Sequence, residues 1–219
     1  MTAATLMPDI LLLNANTDHD MTDRMVVQAR RLHSQCRGAT VTQGANYISD
    51  EASMQVAARS VTLFVEGLKA AQQPDALIVA CFGDPAVRDL RARFRFPVVG
   101  LAEASCVAAF RSAGRFGIVT GGSKWPPLLH DLVSEIGLAS WLSGIYALDQ
   151  TGDQIARDRG NARAAIRSAV AQAEADGAEA VILGGAGLIG FAKELEPSVG
   201  VPLLDSVDCA VKRAVALVN

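Results

Sequence analysis

One cysteine stands at a position where an α/β fold can expose and activate a thiol. Cys81 follows the apolar run 76–80 and precedes Phe82-Gly83-Asp84-Pro85, where a helix is expected to begin. The positive end of a helix dipole lowers the pKa of a nearby thiol, so Cys81 could act as a base or a nucleophile near neutral pH. The N–H groups of Phe82 and Gly83 could bind an anion beside it. The alternative is a buried, unreactive thiol, which is common for free cysteines.

Two polar turns supply further groups that could bind a carbonyl, an amide or a carboxylate. The first is Asn14-Ala15-Asn16-Thr17 and the second is Thr120-Gly121-Gly122-Ser123, and each follows an apolar run. Short polar side chains can hydrogen-bond a ligand, and glycine lets the backbone approach it closely. The same residue types also cap helices and form tight turns. The candidate substrate-binding residues in these turns are Asn14, Asn16, Thr17, Thr120, Gly121 and Ser123.

Short apolar runs alternate with longer amphipathic segments along the chain. The runs are typical of buried parallel strands, and they lie at 10–13, 76–80, 97–99, 116–119, 180–183 and 202–204, with weaker candidates near 41 and at 144–148. The amphipathic spacing predicts helices at 20–34, 50–71, 85–94, 103–113, 124–136, 153–176, 188–195 and 207–218. This alternation indicates parallel sheets with helices on both faces.

The two halves of the chain contain similar segments in the same order. Residues 10–17 resemble 116–123, residues 76–83 resemble 180–187, and residues 97–103 resemble 202–208. We therefore predict an α/β fold of two similar lobes, each a parallel sheet flanked by helices, related by a pseudo-twofold axis. The predicted lobes are residues 1–100 plus 205–219 and residues 101–204.

The repeat also indicates where a site would lie. Ligands bind beyond the carboxyl ends of parallel strands, so the active site is expected in the cleft between the lobes. In this register Cys81 pairs with Gly185. The alternative is that two unrelated units look alike because buried strands share one composition.

Composition argues against several classes of function. The net charge is only -3 and aromatic residues make up 5%, which disfavours a nucleic-acid partner. The four cysteines form no C-x-x-C pair and the three histidines are scattered, so no metal site is expected. No apolar stretch approaches the roughly 20 residues of a membrane span. The amino-terminal residues lack the basic region of a signal peptide, so a cytoplasmic location is expected.

Two further patterns keep other interpretations open. Gly185, Gly187 and Gly190 fit the G-x-G-x-x-G spacing of dinucleotide sites, with Asp205 or Asp208 as the acidic residue, although such a match alone is weak. Asp208 also matches Glu103 in the repeat. A pair of carboxylates can do acid–base chemistry, but at helix starts carboxylates more often serve as caps.

The motifs taken together resemble those of hydantoin racemases. Residues 10–17 resemble the opening N-P-N-T motif, with Ala15 in place of proline. Ala80-Cys-Phe-Gly-Asp-Pro85 resembles the first cysteine motif, and residues 100–105 resemble the segment after it. Residues 202–207 resemble the closing Pro-x-x-Asp segment. Residues 184–188 resemble the second motif, which reads Gly-Cys-Ala-Gly-Met in that family. The sequence is thus identified as a member of the aspartate/glutamate/hydantoin racemase superfamily.

The resemblance implies a cofactor-independent racemase that acts on an acidic Cα–H of a hydantoin, allantoin or amino-acid-like substrate. In the family two cysteines face each other across the Cα, one removing a proton as thiolate and the other returning one as thiol. No metal, flavin or pyridoxal is used. Asn16, Thr120, Ala186 and the backbone around Phe82 would bind the substrate as its carbanion becomes an enolate, and assembly into a homo-oligomer is expected.

Gly185 stands where the family has its second cysteine. Three enzymatic interpretations follow: racemisation with another group on the second face, such as Ser123 or Asp205; decarboxylation of a malonate-type acid with Cys81 as the one proton donor; or nucleophilic chemistry at Cys81, as in the related maleate isomerases. A ligand-binding relative without turnover is the non-enzymatic alternative.

Overall fold

Two four-stranded parallel sheets form the framework of the computed structural model, which describes residues 7–219. The amino-terminal segment discussed above and the start of the first predicted lobe lie partly outside the described residues. The first sheet contains β1 (Ile10–Asn14), β2 (Cys36–Thr40), β3 (Ala76–Ala80) and β4 (Val98–Gly100). The second contains β5 (Phe116–Gly121), β6 (Leu142–Leu148), β7 (Ala180–Gly184) and β8 (Leu203–Asp205).

The two sheets share one topology. The strand orders are β2-β1-β3-β4 and β6-β5-β7-β8, so each strand of the first half has a counterpart in the second. Each sheet has two central strands, which are buried along their whole length and mainly apolar, as parallel strands covered on both faces must be. In the first half these are β1 and β3. The predicted two-lobed α/β fold is confirmed.

Helices cover both faces of the sheets. They are α1 (His19–Arg30), α2 (Glu51–Glu66), α3 (Val87–Arg93), α4 (Leu101–Ala113), α5 (Trp125–Glu135), α6 (Gly152–Arg157), α7 (Arg159–Ala175), α8 (Phe191–Leu195) and α9 (Ser206–Val218). Short 3-10 turns lie at Ala70–Gln72, Ala139–Trp141, Ala186–Leu188 and Glu196–Ser198. None of the helices within residues 7–219 is long and apolar enough to cross a bilayer.

Several element bounds differ from the expectation; the helices expected at 50–71 and 188–195, for example, are Glu51–Glu66 and Phe191–Leu195. The second strand is Cys36–Thr40 and not the segment near Val41, because an edge strand is half-exposed and needs no apolar run. The helix expected at 153–176 is broken at Asp158, whose side chain caps α7 by accepting from the Asn161 N–H. The helix expected at 85 begins at Val87.

Helices α4 and α9 pack against each other between the two sheets. Helix α4 follows the first sheet in sequence but packs on β7 and β5 of the second, while α9 follows the second sheet and packs on β3 and β4 of the first. One continuous apolar core therefore runs from the first sheet through this helix pair to the second. Because each of these helices packs on the sheet of the other half, the packing favours the predicted lobe bounds, which stay a prediction.

A carboxylate caps the amino terminus of each of these two helices, but the two halves supply it differently. Asp84 accepts from the N–H groups of Ala102 and Glu103 at 2.9 and 2.8 Å. A side chain at Gly100 would overlap the Asp84 carboxyl, so the glycine leaves the space that Asp84 fills. In the second half Asp205 itself, at the end of β8, caps α9 by accepting from the Val207 N–H at 3.0 Å.

Burial raises the pKa of Asp84 to about 7 and that of Asp205 to about 6, against the lowering effect of their N–H donors. Both pKa values exceed the ordinary 3.8, so both carboxyl groups favour the folded state most below about pH 4. Their contribution to the free energy of unfolding is lost as the pH rises through 6 and 7.

We therefore expect Asp84→Asn, which still offers an oxygen to the helix, to flatten the decline of unfolding free energy between pH 4 and pH 8 by on the order of 1–3 kcal/mol. Urea titrations at several pH values measure this. The matched control is Asp131→Asn, at an exposed position. It should leave the slope of unfolding free energy against pH as in the wild type. Equal slopes in all three proteins would contradict the assignment.

Candidate active site

A small cavity lies where the carboxyl ends of the two sheets meet. Its volume is about 50 Å³, far below the roughly 300–1,000 Å³ usual for small-molecule sites. Residues from both halves line it: Asn16, Met21, Tyr47, Ile48, Ala80, Cys81, Phe82, Thr120, Gly121, Trp125, Gly152, Gly184, Gly185, Ala186, Gly187 and Leu188. A surface groove of about 880 Å³ between α1 and α8 shares Ala186 and Gly187 with the cavity.

The cavity brings together most of the candidates named from the sequence. Seven of the eleven are at its wall: Cys81, Gly185, Asn16, Phe82, Thr120, Gly121 and Ala186. Four are not among its lining residues. Asn14 is buried beneath the turn, Thr17 donates its N–H to the Ala45 carbonyl, Gly83 packs beside Met54, and Ser123 is exposed. Asp205, the other candidate for the second face, lines the surface groove instead.

The expected activation of Cys81 by a helix is wrong. Helix α3 begins at Val87, six positions later, because Asp84 and Ala86 both adopt left-handed conformations in the intervening turn. Burial is the dominant influence and raises the pKa of Cys81 to about 12, partly opposed by a hydrogen bond from the Gly83 N–H, with Asp84 adding to the rise. A thiol with this pKa is protonated at neutral pH, so Cys81 is a proton donor first and a base only after ionisation.

Asn16 is oriented as a donor by its own turn. Its side-chain oxygen accepts from Asn14 Nδ2 at 2.8 Å and from the Asp18 N–H at 2.9 Å. Because the backbone donor must face the oxygen, the side-chain NH₂ of Asn16 is the group left for the cavity. Asn14 is almost fully buried and also donates to Thr22, so its role is to hold the turn.

Gly185 adopts a backbone conformation that other residues rarely take, with φ 104° and ψ 153°. The space beside it is open: a Cβ there would have only the Phe82 Cβ within reach, at 3.9 Å. Phe82 fills the neighbouring space, since a Cβ on Gly184 would overlap its ring. The Gly185 position therefore has room for atoms but a backbone suited to glycine.

The glycine spacing that resembled a dinucleotide site has a packing explanation. A Cβ on Gly187 would lie 2.0 Å from the Gly152 carbonyl oxygen, so the two backbones touch there. Gly190 is left-handed and donates its N–H to Asp205 at 2.8 Å. Helix α8, which follows, has only five residues.

Tyr47 and Trp125 also line the cavity, although no sequence pattern singles them out. Tyr47 lies in the irregular segment between β2 and α2, and its hydroxyl oxygen accepts from the Gly152 N–H at 2.7 Å. Trp125 is the first residue of α5 and is buried. Neither stands in a motif or at a strand end, so only the meeting of the two halves reveals them.

Comparison with known proteins gives the family. A family model described as Asp/Glu/Hydantoin racemase matches residues 10–214. The chain belongs to this family. Within residues 7–219 no group of three or more His, Cys, Asp or Glu side chains is placed to hold a metal ion.

The similar proteins include hydantoin racemases and allantoin racemases. The chain is 32% identical to a hydantoin racemase from Paenarthrobacter aurescens over 222 residues, covering 95% of this chain and 90% of that protein. Its fold is similar to an allantoin racemase from Pseudomonas fluorescens, with a TM-score of 0.89 at 29% identity over 95% and 90% of the two chains. An allantoin racemase from Klebsiella pneumoniae gives a TM-score of 0.88 at 28% identity, covering 95% of this chain and 86% of that one.

The conformation of Gly185 gives a prediction about stability. We expect Gly185→Ala and Gly185→Cys each to lower the free energy of unfolding by about 1–3 kcal/mol, because both force a side chain onto a glycine-only backbone. Chemical denaturation measures the effect.

Gly160→Ala is the control, since Gly160 has an ordinary φ and only the Asp158 side chain near its Cβ position, at 3.9 Å. It should be neutral or slightly stabilising. If the Gly185 variants matched it in stability, this strain would not exist.

Proposed function

We propose that this protein is a cofactor-independent racemase that removes and returns a proton at an acidic Cα–H of a small hydantoin, allantoin or amino-acid-like substrate, with Cys81 as an acid–base residue. The observation that carries the proposal is that Cys81 lines a small cavity between the two halves, together with Asn16 and Thr120 from their polar turns. The relatives named above, which are hydantoin and allantoin racemases, support the substrate class.

The cavity offers donors where negative charge would develop. Removal of the Cα proton leaves an electron pair that is delocalised onto the adjacent carbonyl oxygen, and fixed N–H and O–H groups stabilise it there. Asn16 Nδ2 is one such donor. The N–H groups of Phe82 and Ala186 form no hydrogen bond within residues 7–219, and the Thr120 hydroxyl likewise has no partner in that range. These four groups are proposed to bind the enolate.

Decarboxylation of a malonate-type acid is the second candidate, and two observations favour it. A thiol with a pKa near 12 is protonated at neutral pH, which suits a residue that only donates a proton. The open space beside Gly185 would accommodate a departing carboxylate. Loss of CO₂ generates the carbanion without any base.

Cys81→Ala should lower the rate of either reaction on the order of 100-fold or more, the usual contribution of a general acid or base. The measurement is incubation in D₂O with single-enantiomer hydantoins, allantoin, amino acids and arylmalonates, followed by optical rotation, mass spectrometry and CO₂ release. Cys209→Ala removes a buried thiol that lies outside the cavity and should retain wild-type turnover. Unchanged turnover in Cys81→Ala would overturn the role of this residue.

The pH dependence distinguishes the two candidates. If Cys81 is the base, the rate constant at limiting substrate should rise about tenfold per pH unit from pH 7 to pH 10, because the thiolate fraction grows tenfold per unit below a pKa of about 12. If the thiol is only a donor, the rate should stay flat over that range. A rate that falls between pH 7 and pH 10 would agree with neither role.

A further inference from the structure

The group on the second face of the substrate is not evident from the strand ends. A racemase must deliver a proton to the face opposite the one it deprotonates, and Gly185 has no side chain to do so. Ser123 is exposed and Asp205 lines the surface groove, so neither reaches this cavity. Among the residues that line it, the titratable side chains are Cys81 and Tyr47.

Tyr47 belongs to the first half but is bound to the second. Its oxygen accepts from the N–H of Gly152, the first residue of α6. Gly152 in turn touches Gly187, two residues after Gly185, through backbone atoms alone. The phenol thus contacts the segment that packs on the turn containing Gly185, and Tyr47 and Gly185 line the same cavity.

The proton of this phenol is left for the cavity. The Gly152 N–H occupies one acceptor site of the oxygen, and the O–H donates to no acceptor within residues 7–219. A phenol with such an arrangement can transfer its proton to a bound molecule and keep the resulting charge beside a backbone donor. We propose that Tyr47 replaces the missing second thiol as the acid–base residue on the Gly185 face, an inference that rests on the proposed racemisation.

The proton balance is that of a two-base exchange. The Cys81 thiolate forms an S–H bond with the Cα proton as the C–H bond breaks, and the electron pair moves to the carbonyl oxygen. The enolate then forms a new C–H bond with the Tyr47 proton on the opposite face, leaving a phenolate. Water protonates the phenolate and accepts the thiol proton, which returns the pair to its starting state; for the other enantiomer the roles reverse.

Burial is the main influence on the pKa of Tyr47 and raises it. The Gly152 N–H and the Trp125 side chain lower this pKa, whereas Asp153 and, least of these, Cys81 raise it. The net rise keeps the resting phenol protonated, as a group that delivers a proton must be.

Tyr47→Phe should lower the rate of racemisation without lowering the rate of deuterium exchange, whereas a structural defect would lower both rates. We expect racemisation to fall about 100-fold or more. Deuterium exchange of the enantiomer that Cys81 deprotonates should stay within a few-fold of wild type, because Cys81 can still remove and return a proton on its own face. Cys81→Ala should show the reverse, with exchange retained only for the other enantiomer.

The chain offers a matched control, since it has only two tyrosines. Tyr146→Phe removes a hydroxyl that hydrogen-bonds Asp176 outside the cavity, and it should change neither rate. If Tyr47→Phe folds poorly, fluorotyrosine incorporated into the Tyr146→Phe background labels Tyr47 alone. Its more acidic phenol should move the corresponding limb of the pH–rate profile to lower pH.

The outcomes separate the two proposals. A wild-type protein that neither exchanges nor racemises any substrate contradicts the proposed function itself. A wild-type protein that racemises, with a Tyr47→Phe variant that keeps the wild-type ratio of racemisation to exchange, leaves the function standing and overturns the role of Tyr47. An unshifted pH profile with fluorotyrosine overturns it as well.

Discussion

The packing of α4 against α9 is the interaction on which the site depends. Each helix leaves the edge strand of one sheet and packs on the other, so neither half can complete its apolar core without its partner. Burial of this shared surface fixes the two sheets with their carboxyl edges facing each other. The cavity is a consequence of that constraint, because the turns after β1, β3, β5 and β7 must then meet.

The two halves supply the carboxylate that caps a buried helix terminus from different places, and this difference explains why their turns are not interchangeable. The amino termini of α4 and α9 both need an acceptor in a buried place. In the first half the acceptor comes from Asp84 across the space above Gly100, which requires left-handed backbone at Asp84 and Ala86. In the second half Asp205 supplies it from the strand, which frees the turn at Gly185 for a glycine conformation. Placing a thiol at 185 therefore does not recreate the Cys81 turn.

Much of the fold follows from local patterns, whereas the site follows from them only in part. The strands and the repeat were predictable because burial on both faces demands unbroken apolar runs at fixed offsets. The edge strand at Cys36–Thr40 was not, since half-exposed strands lack that run. The sequence predicts a lowered pKa for Cys81, whereas burial raises it and the start of α3 lies six positions later, after two left-handed residues that neither propensity nor periodicity encodes.

Tyr47 illustrates the limit more sharply, because its position has meaning only through Gly152, which is 105 residues away in the chain. A pair made of a thiol and a phenol also has a consequence that two thiols would hide. The enantiomers of a free substrate have equal energies, so the ratio of kcat to KM must be the same in both directions at every pH, whatever groups transfer the protons. The chemical difference between the two faces can then appear in the quantities that this equality leaves free, which are kcat and KM taken separately and partial reactions such as exchange without inversion. Equal values of kcat/KM in the two directions therefore do not show that the two faces carry the same group.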